Sequence, residues 1–178
     1  RFHREHPTIH IKVTNSSSIC CVVLLENGQA DLIVVNYPNS RLTNLVHRKP
    51  LRTFQDVFVA SRRFFDLENV SLSLKDLQNY PILMLDRKST TSEYLHQLFQ
   101  QHQLDLVPEI ELSSNDLLLD LASIGLGIAF VPDFFLDGKS QDLFRLNIRE
   151  ELPGRQLVLA YQEQIPLPQA AAEFIRYF

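Results

Sequence analysis

This chain has no surplus of positive charge. Its 17 lysines and arginines stand against 21 aspartates and glutamates, a net charge of −4. That composition builds no basic field of the kind that holds a phosphate backbone, so DNA binding by the chain alone is not expected. Cysteine is almost absent. The only two, Cys20 and Cys21, are adjacent inside an apolar run. Neighbouring residues rarely bridge, so both read as buried thiols in a reducing compartment, which points to the cytoplasm. No histidine or lysine lies close in sequence to lower their pKa, which argues against a reactive thiol. No run of about 18 consecutive apolar residues occurs, so no membrane span is predicted. The opening, Arg1 to His6, lacks the apolar core of a signal peptide and reads as the polar tail of a helix. The chain is therefore expected to be a fragment.

Catalytic and cofactor patterns are missing as well. His3, His6 and His10 do not make a metal site, because His10 is predicted on a strand and no acidic residue has suitable spacing. Gly125-Leu126-Gly127 follows a helix and precedes a strand, the reverse of a dinucleotide fingerprint. No Ser-His-Asp arrangement can be placed, and no G-x-S-x-G elbow occurs. The expectation is a protein that is not an enzyme and has no metal and no cofactor.

What is present is an ordinary globular composition, 45% hydrophobic and 21% charged over 178 residues. Folding a chain of this size buries roughly 70% of the extended surface, so no disulfide or metal staple is needed. The most informative stretch is Glu109 to Phe135. Ile110 and Leu112 alternate with Glu109 and Glu111, as in a half-buried strand. Ser113, Ser114 and Asn115 each suit a helix cap, and Leu117, Leu118, Leu121, Ala122 and Ile124 follow at helical spacing. Gly125 falls where a left-handed residue closes a helix, and Ile128 to Val131 is an apolar run ended by Pro132. The stretch is a β-α-β unit.

Elsewhere, Thr8 to Val13 alternates as a strand with one wet side, and Ile19 to Leu25 reads as a helix ended by Gly28. Leu32 to Val35 is short enough for a buried strand. Residues 39–56 show no clean period, and their basic cluster Arg48, Lys49 and Arg52 reads as a solvated surface. Val57 to Ala60 and Ile82 to Leu85 are further buried strands. Ser73 with Asp76 fits a capping box, and Thr90 with Glu93 fits a second. The helix after it has an apolar face (Leu95, Leu98, Phe99) and a glutamine-rich one. Phe144 to Ile148 and Gln156 to Tyr161 read as strands, and Gln169 to Phe178 as the last helix. Strand-helix alternation argues for open parallel sheets with helices on both faces.

Several of these segments resemble the effector-binding domain of LysR-type transcriptional regulators. ASIGLGIAFVPDFF is similar to the family's "G-x-G-I-A-x-x-P" corner. An "F-x-x-x-x-P-x-I-x-I" start, a polar turn, a helix and then Ala30-Asp31-Leu32-Ile33-Val34 look like its first subdomain. The resemblance runs over nearly the whole chain in family order, but the family has a further strand and most of a helix before residue 1. It implies an α/β fold of two Rossmann-like subdomains, similar to a type 2 periplasmic binding protein, joined by two crossover segments. Residues 1–59 and 133–178 would form the first subdomain and 60–132 the second.

Such sheets bind ligands beyond the carboxyl ends of their strands, and three strand-to-helix junctions here are rich in hydroxyls. Taken alone, those hydroxyls read as helix caps. With the resemblance, Ser89 and Thr90 are the foremost ligand contacts, followed by Ser16 and Asn36 and then Ser113 and Ser114. The implied ligand is a small effector, an organic anion or amino-acid-like metabolite, held between the subdomains. The domains would pair as a homodimer or tetramer, through Thr8 to Val13 and the helix Thr91 to His102. Promoter DNA would be reached only through a winged helix-turn-helix domain upstream, with no membrane involved. The alternative is a solute-binding protein of a transporter with the same fold, which predicts an export signal instead.

Overall fold

Three apolar strands lie side by side at the centre of the larger unit, and their alternation sorts two cores. The computed structural model describes residues 1–43, 46–138 and 141–178, so positions 44 and 45 of the stretch without a clean period lie outside the described residues. In chain order the elements are helix α1 (Phe2–Glu5), α2 (Ser18–Glu26), strands β1 (Ile33–Tyr37), β2 (Val46–Phe54), β3 (Asp56–Ser61) and β4 (Ser71–Leu72). Then come α3 (Leu74–Leu77), β5 (Ile82–Leu85), α4 (Thr90–Gln101), β6 (Ile110–Leu112), α5 (Asn115–Ser123) and β7 (Ile128–Pro132). A short 3₁₀ turn, Asp133–Leu136, leads to β8 (Leu143–Arg145), β9 (Asn147–Ile148), β10 (Arg155–Gln162) and α6 (Gln169–Ile175).

The chain divides into two compact units, residues 1–53 with 156–178, and residues 54–155. In the second unit five strands run in the order β6-β5-β7-β3-β8. Successive strand side chains point to opposite faces, so a strand buried on both sides must be apolar throughout. Phe58, Ala60, Ile82, Met84, Ile128 and Phe130 face one core, where Leu95, Leu98 and Phe99 of α4 meet them. Val57, Val59, Leu83, Leu85, Ala129 and Val131 face the other, covered by Leu118, Leu119 and Ala122 of α5. β5 runs parallel to β6 and β7, whereas β3 runs antiparallel to β7 and β8. The sheet is therefore mixed rather than wholly parallel.

Residues 133–155, expected with the first subdomain, fall within this second unit. Phe144, Leu146 and Leu152 supply its core, and β8 pairs with β3. The strand expected over Phe144 to Ile148 is split, because the Leu146 amide donates to Phe58 while β9 turns away to pair with β4.

The first unit holds a sheet ordered β1-β10-β2, with β1 antiparallel to β10. Val22 and Leu25 of α2 pack on Ile33, Val35, Val158 and Ala160. The strand expected at Thr8 to Val13 does not form: Thr8 lies in a turn, residues 9–13 join no ladder, and Ile11 and Val13 are exposed. Alternation qualifies a segment for a sheet, but only a neighbour makes it a strand. Conversely β2, which has no apolar period, is a strand at the sheet edge, where charge and Pro50 are tolerated. Cys20 and Cys21 are half-buried rather than buried, and burial raises the Cys21 thiol pKa.

Candidate functional site

Two helices of the second unit start from the same edge of its sheet. β5 feeds α4 and its parallel neighbour β6 feeds α5, and the Asp86 amide donates to Leu112 O at 2.9 Å, holding the strand ends together. This is the carboxyl-terminal edge, where open α/β sheets take up ligands.

The cap of α4 is not the one the sequence suggested. Ser89, not Thr90, is the N-cap, its Oγ accepting from the Thr91 and Ser92 amides at 3.1 and 3.2 Å. Thr90 is displaced into the first helical position, where its Oγ1 accepts from Arg155 Nη2 at 3.0 Å. The expected box with Glu93 is therefore replaced by a serine cap and a buried arginine. Ser89, Thr90, Thr91 and Ser92 are all buried. At the adjacent helix, Ser114 caps α5 by accepting from the Leu117 amide at 3.3 Å, while Ser113 before it is exposed. The structure thus brings Ser89, Thr90, Ser113 and Ser114 to one edge of one sheet.

In the first unit, Ser17 caps α2 by accepting from the Cys20 amide at 3.3 Å, and Ser16 before it is exposed. Asn36, near the end of β1, donates its backbone amide to Ser18 Oγ at 3.1 Å. Ser16 and Asn36 thus both lie near the start of α2.

Sequence reasoning missed the charged pair beneath α4. Arg155, 3% exposed, donates from Nη1 to Asp56 Oδ2 at 2.5 Å and to Thr91 Oγ1 at 3.2 Å. Its guanidinium lies 5.5 Å from the ring centres of both Phe54 and Tyr94. Burial pushes the Asp56 carboxyl above its usual range; the Arg155 charge pulls it down without restoring it, and Asp133 pushes it up again. The Tyr94 hydroxyl is raised to about 12, by burial first and then by the Asp56 charge. Asp56 Oδ1, Ser92 Oγ and Tyr94 OH are buried without hydrogen-bond partners, which is uncommon for polar atoms inside a protein. A signal did exist. Asp56 and Arg155 are opposite charges, each heading an apolar run that could not bury one alone.

Among the described residues, no group of three or more His, Cys, Asp or Glu is placed to hold a metal, and no helix is long and apolar enough to cross a membrane. Hydroxyl-capped helix starts along the carboxyl edge of a mixed sheet are the arrangement at which open α/β domains take up ligands. The chain belongs to the family of the LysR substrate binding domain, whose pattern it matches over residues 1–178. It is 26% identical over 181 residues to the HTH-type transcriptional activator CmpR of Synechocystis sp. (strain ATCC 27184 / PCC 6803 / Kazusa). That match covers 99% of this chain but 58% of CmpR. Its fold is similar to the Synechocystis PCC6803 CcmR regulatory domain in complex with 2-PG, with a TM-score of 0.88, 22% identity, and 99% and 85% of the two chains covered. It is also similar to the effector binding domain of QuiR in complex with shikimate, with a TM-score of 0.81, 18% identity, and 99% and 84% covered. The regulator resemblance therefore stands over the transporter alternative.

Proposed function

We propose that the chain senses a small anion for a LysR-type transcriptional regulator, binding it at the first turn of α4 through Ser89 and Thr90. The observation that carries this reading is that turn itself: a positive helix end, enclosed, capped by hydroxyls and backed by a buried arginine. Ser113 and Ser114, on the same sheet edge, are the further contacts in this unit, and Ser16 and Asn36 are the candidate contacts of the first unit. The ligand is an organic acid or amino-acid-like metabolite. It acts by differential affinity for two arrangements of the domain, with coupling of about 1–3 kcal/mol. In the whole protein, working in the cytoplasm, that shift changes how a separate winged helix-turn-helix part meets promoter DNA. The domain carries out no catalysis and pairs with copies of itself. Its pairing surfaces are the segment Thr8 to Val13, with Ile11 and Val13 exposed, and the glutamine face of the helix from Thr91 to His102.

The test is ligand-dependent unfolding with 2-PG, shikimate and small dicarboxylates as first probes. A true ligand at 100 times its Kd adds about 2.7 kcal/mol of stability. Ser89→Ala and Thr90→Val should each weaken its binding roughly tenfold or more, because a hydrogen bond to a charged group is worth about 1.5–3 kcal/mol. A ligand whose affinity survives both substitutions refutes the site.

A further inference from the structure

The hydroxyls at the start of α4 have their direction set from below. A guanidinium carries donors only, so Thr90 Oγ1 and Thr91 Oγ1 must act as acceptors toward Arg155, at 3.0 and 3.2 Å. The hydrogen of each hydroxyl is thereby turned away from the arginine. Ser89 reaches the same state by another route. Its Oγ accepts from two backbone amides, which fills both lone pairs and leaves only its hydrogen to offer. Ser92 Oγ, 1% exposed in the same turn, has no partner at all and is the independent sign that the turn is built to meet a ligand.

We propose that Arg155 is a positioning residue that fixes the Thr90 and Thr91 hydroxyls as donors, making the site selective for carboxylate or phosphate groups over isosteric amides. This rests on the ligand site proposed above at Ser89 and Thr90. Arg155 acts through Thr90 and touches no ligand. Its counter-charge, Asp56, is engaged on Nη1, while Nη2 is directed to Thr90. A lysine in its place keeps the positive charge for Asp56 but lacks the planar fork that reaches the carboxylate and both threonines together. Charge compensation alone would need only the lysine; setting the hydroxyl direction needs the arginine.

The experiment is calorimetric titration of the purified chain with inorganic phosphate, glycolate and the neutral isostere glycolamide, using Arg155→Lys, Thr90→Val, Thr90→Ser and Ser89→Ala. The wild type should bind at least one anion at least tenfold more tightly than glycolamide. Arg155→Lys and Thr90→Val should each lower that ratio at least fivefold, and Thr90→Ser should keep it. A folded Arg155→Lys protein with the wild-type ratio, or with equal losses for anion and amide, overturns the role and reduces Arg155 to a structural support. Should Arg155→Lys fail to fold, an unchanged ratio in Thr90→Val overturns it equally. Ser89→Ala reports on the site itself: if it leaves every affinity unchanged, the site reading fails rather than the selectivity mechanism. No binding of either anion to the wild type overturns both.

Discussion

Replacing Arg155 with methionine strips the counter-charge from a carboxylate that has no access to water. Asp56 is fully buried, its Oδ1 has no partner, and its Oδ2 holds the guanidinium at 2.5 Å. Removing one member of a buried pair costs about 3–5 kcal/mol. Thr90 and Thr91 also lose their donor, about 1 kcal/mol for each hydrogen bond. Against a total stability of about 5–15 kcal/mol, the Arg155→Met protein should be marginal at neutral pH. The pH dependence identifies the cause. The Asp56 pKa is already raised by burial, and losing Arg155 raises it further. A carboxyl whose pKa is raised on folding contributes stability that is complete below its unfolded value, about 3.9, and is lost as pH rises through the folded value. The deficit of Arg155→Met relative to wild type should therefore shrink as pH falls from 7 toward 5. Adding Asp56→Asn should recover most of the loss at pH 7 and abolish this dependence. The chain has no tryptophan, so urea unfolding is followed by far-ultraviolet circular dichroism. A loss under about 1 kcal/mol, where a buried pair requires 3 or more, refutes the reasoning. So does a deficit that is flat with pH, or one that Asp56→Asn does not rescue.

Other parts of the fold give equally direct expectations. A Cβ at Gly127 would sit 2.4 Å from Pro81 O, the acceptor that joins β7 to β5. Gly127→Ala should thus cost about 3 kcal/mol, the upper end for overpacking, read from the urea midpoint. Gly125→Ala meets the Phe64 ring, which is exposed enough to swing aside, so its cost is chiefly the left-handed backbone at φ +86°, about 1–2 kcal/mol. A larger effect at Gly125 than at Gly127 would reverse that ranking. Phe58→Ala empties a fully buried site against Phe130 at 4.6 Å and should cost about 3–5 kcal/mol in the same assay. Ser73→Ala removes a capping box, costing about 1 kcal/mol. The Asp76 carboxyl, held low by the Ser73 amide and hydroxyl, should then titrate at higher pH by NMR, and an unmoved titration counts against the box.

Of the candidate site, the hydroxyl-rich junctions were legible as caps because caps must stand just before their helices, whereas Ser89, Thr90, Ser113 and Ser114 were marked as ligand contacts only through the family resemblance. The roles of Ser89 and Thr90 within one turn were not. Ser-Thr-Thr-Ser offers several possible caps, and an arginine far along the chain selects among them by occupying Thr90.

Local periodicity by itself determined the type and order of most elements. The apolar runs Val57 to Ala60, Ile82 to Leu85 and Ile128 to Val131 had to be strands buried on both faces, and Gly125 had to close α5, because side-chain alternation and backbone sterics act between near neighbours. Pairing was decided only by the tertiary structure. Thr8 to Val13 alternates yet forms no ladder, β2 joins a sheet without alternating, and residues 133–155 pack into the second unit. The Asp56–Arg155 pair joins residues 99 positions apart. Ladder hydrogen bonds and buried charges are satisfied through space, and no period along the chain records which distant partner will supply them.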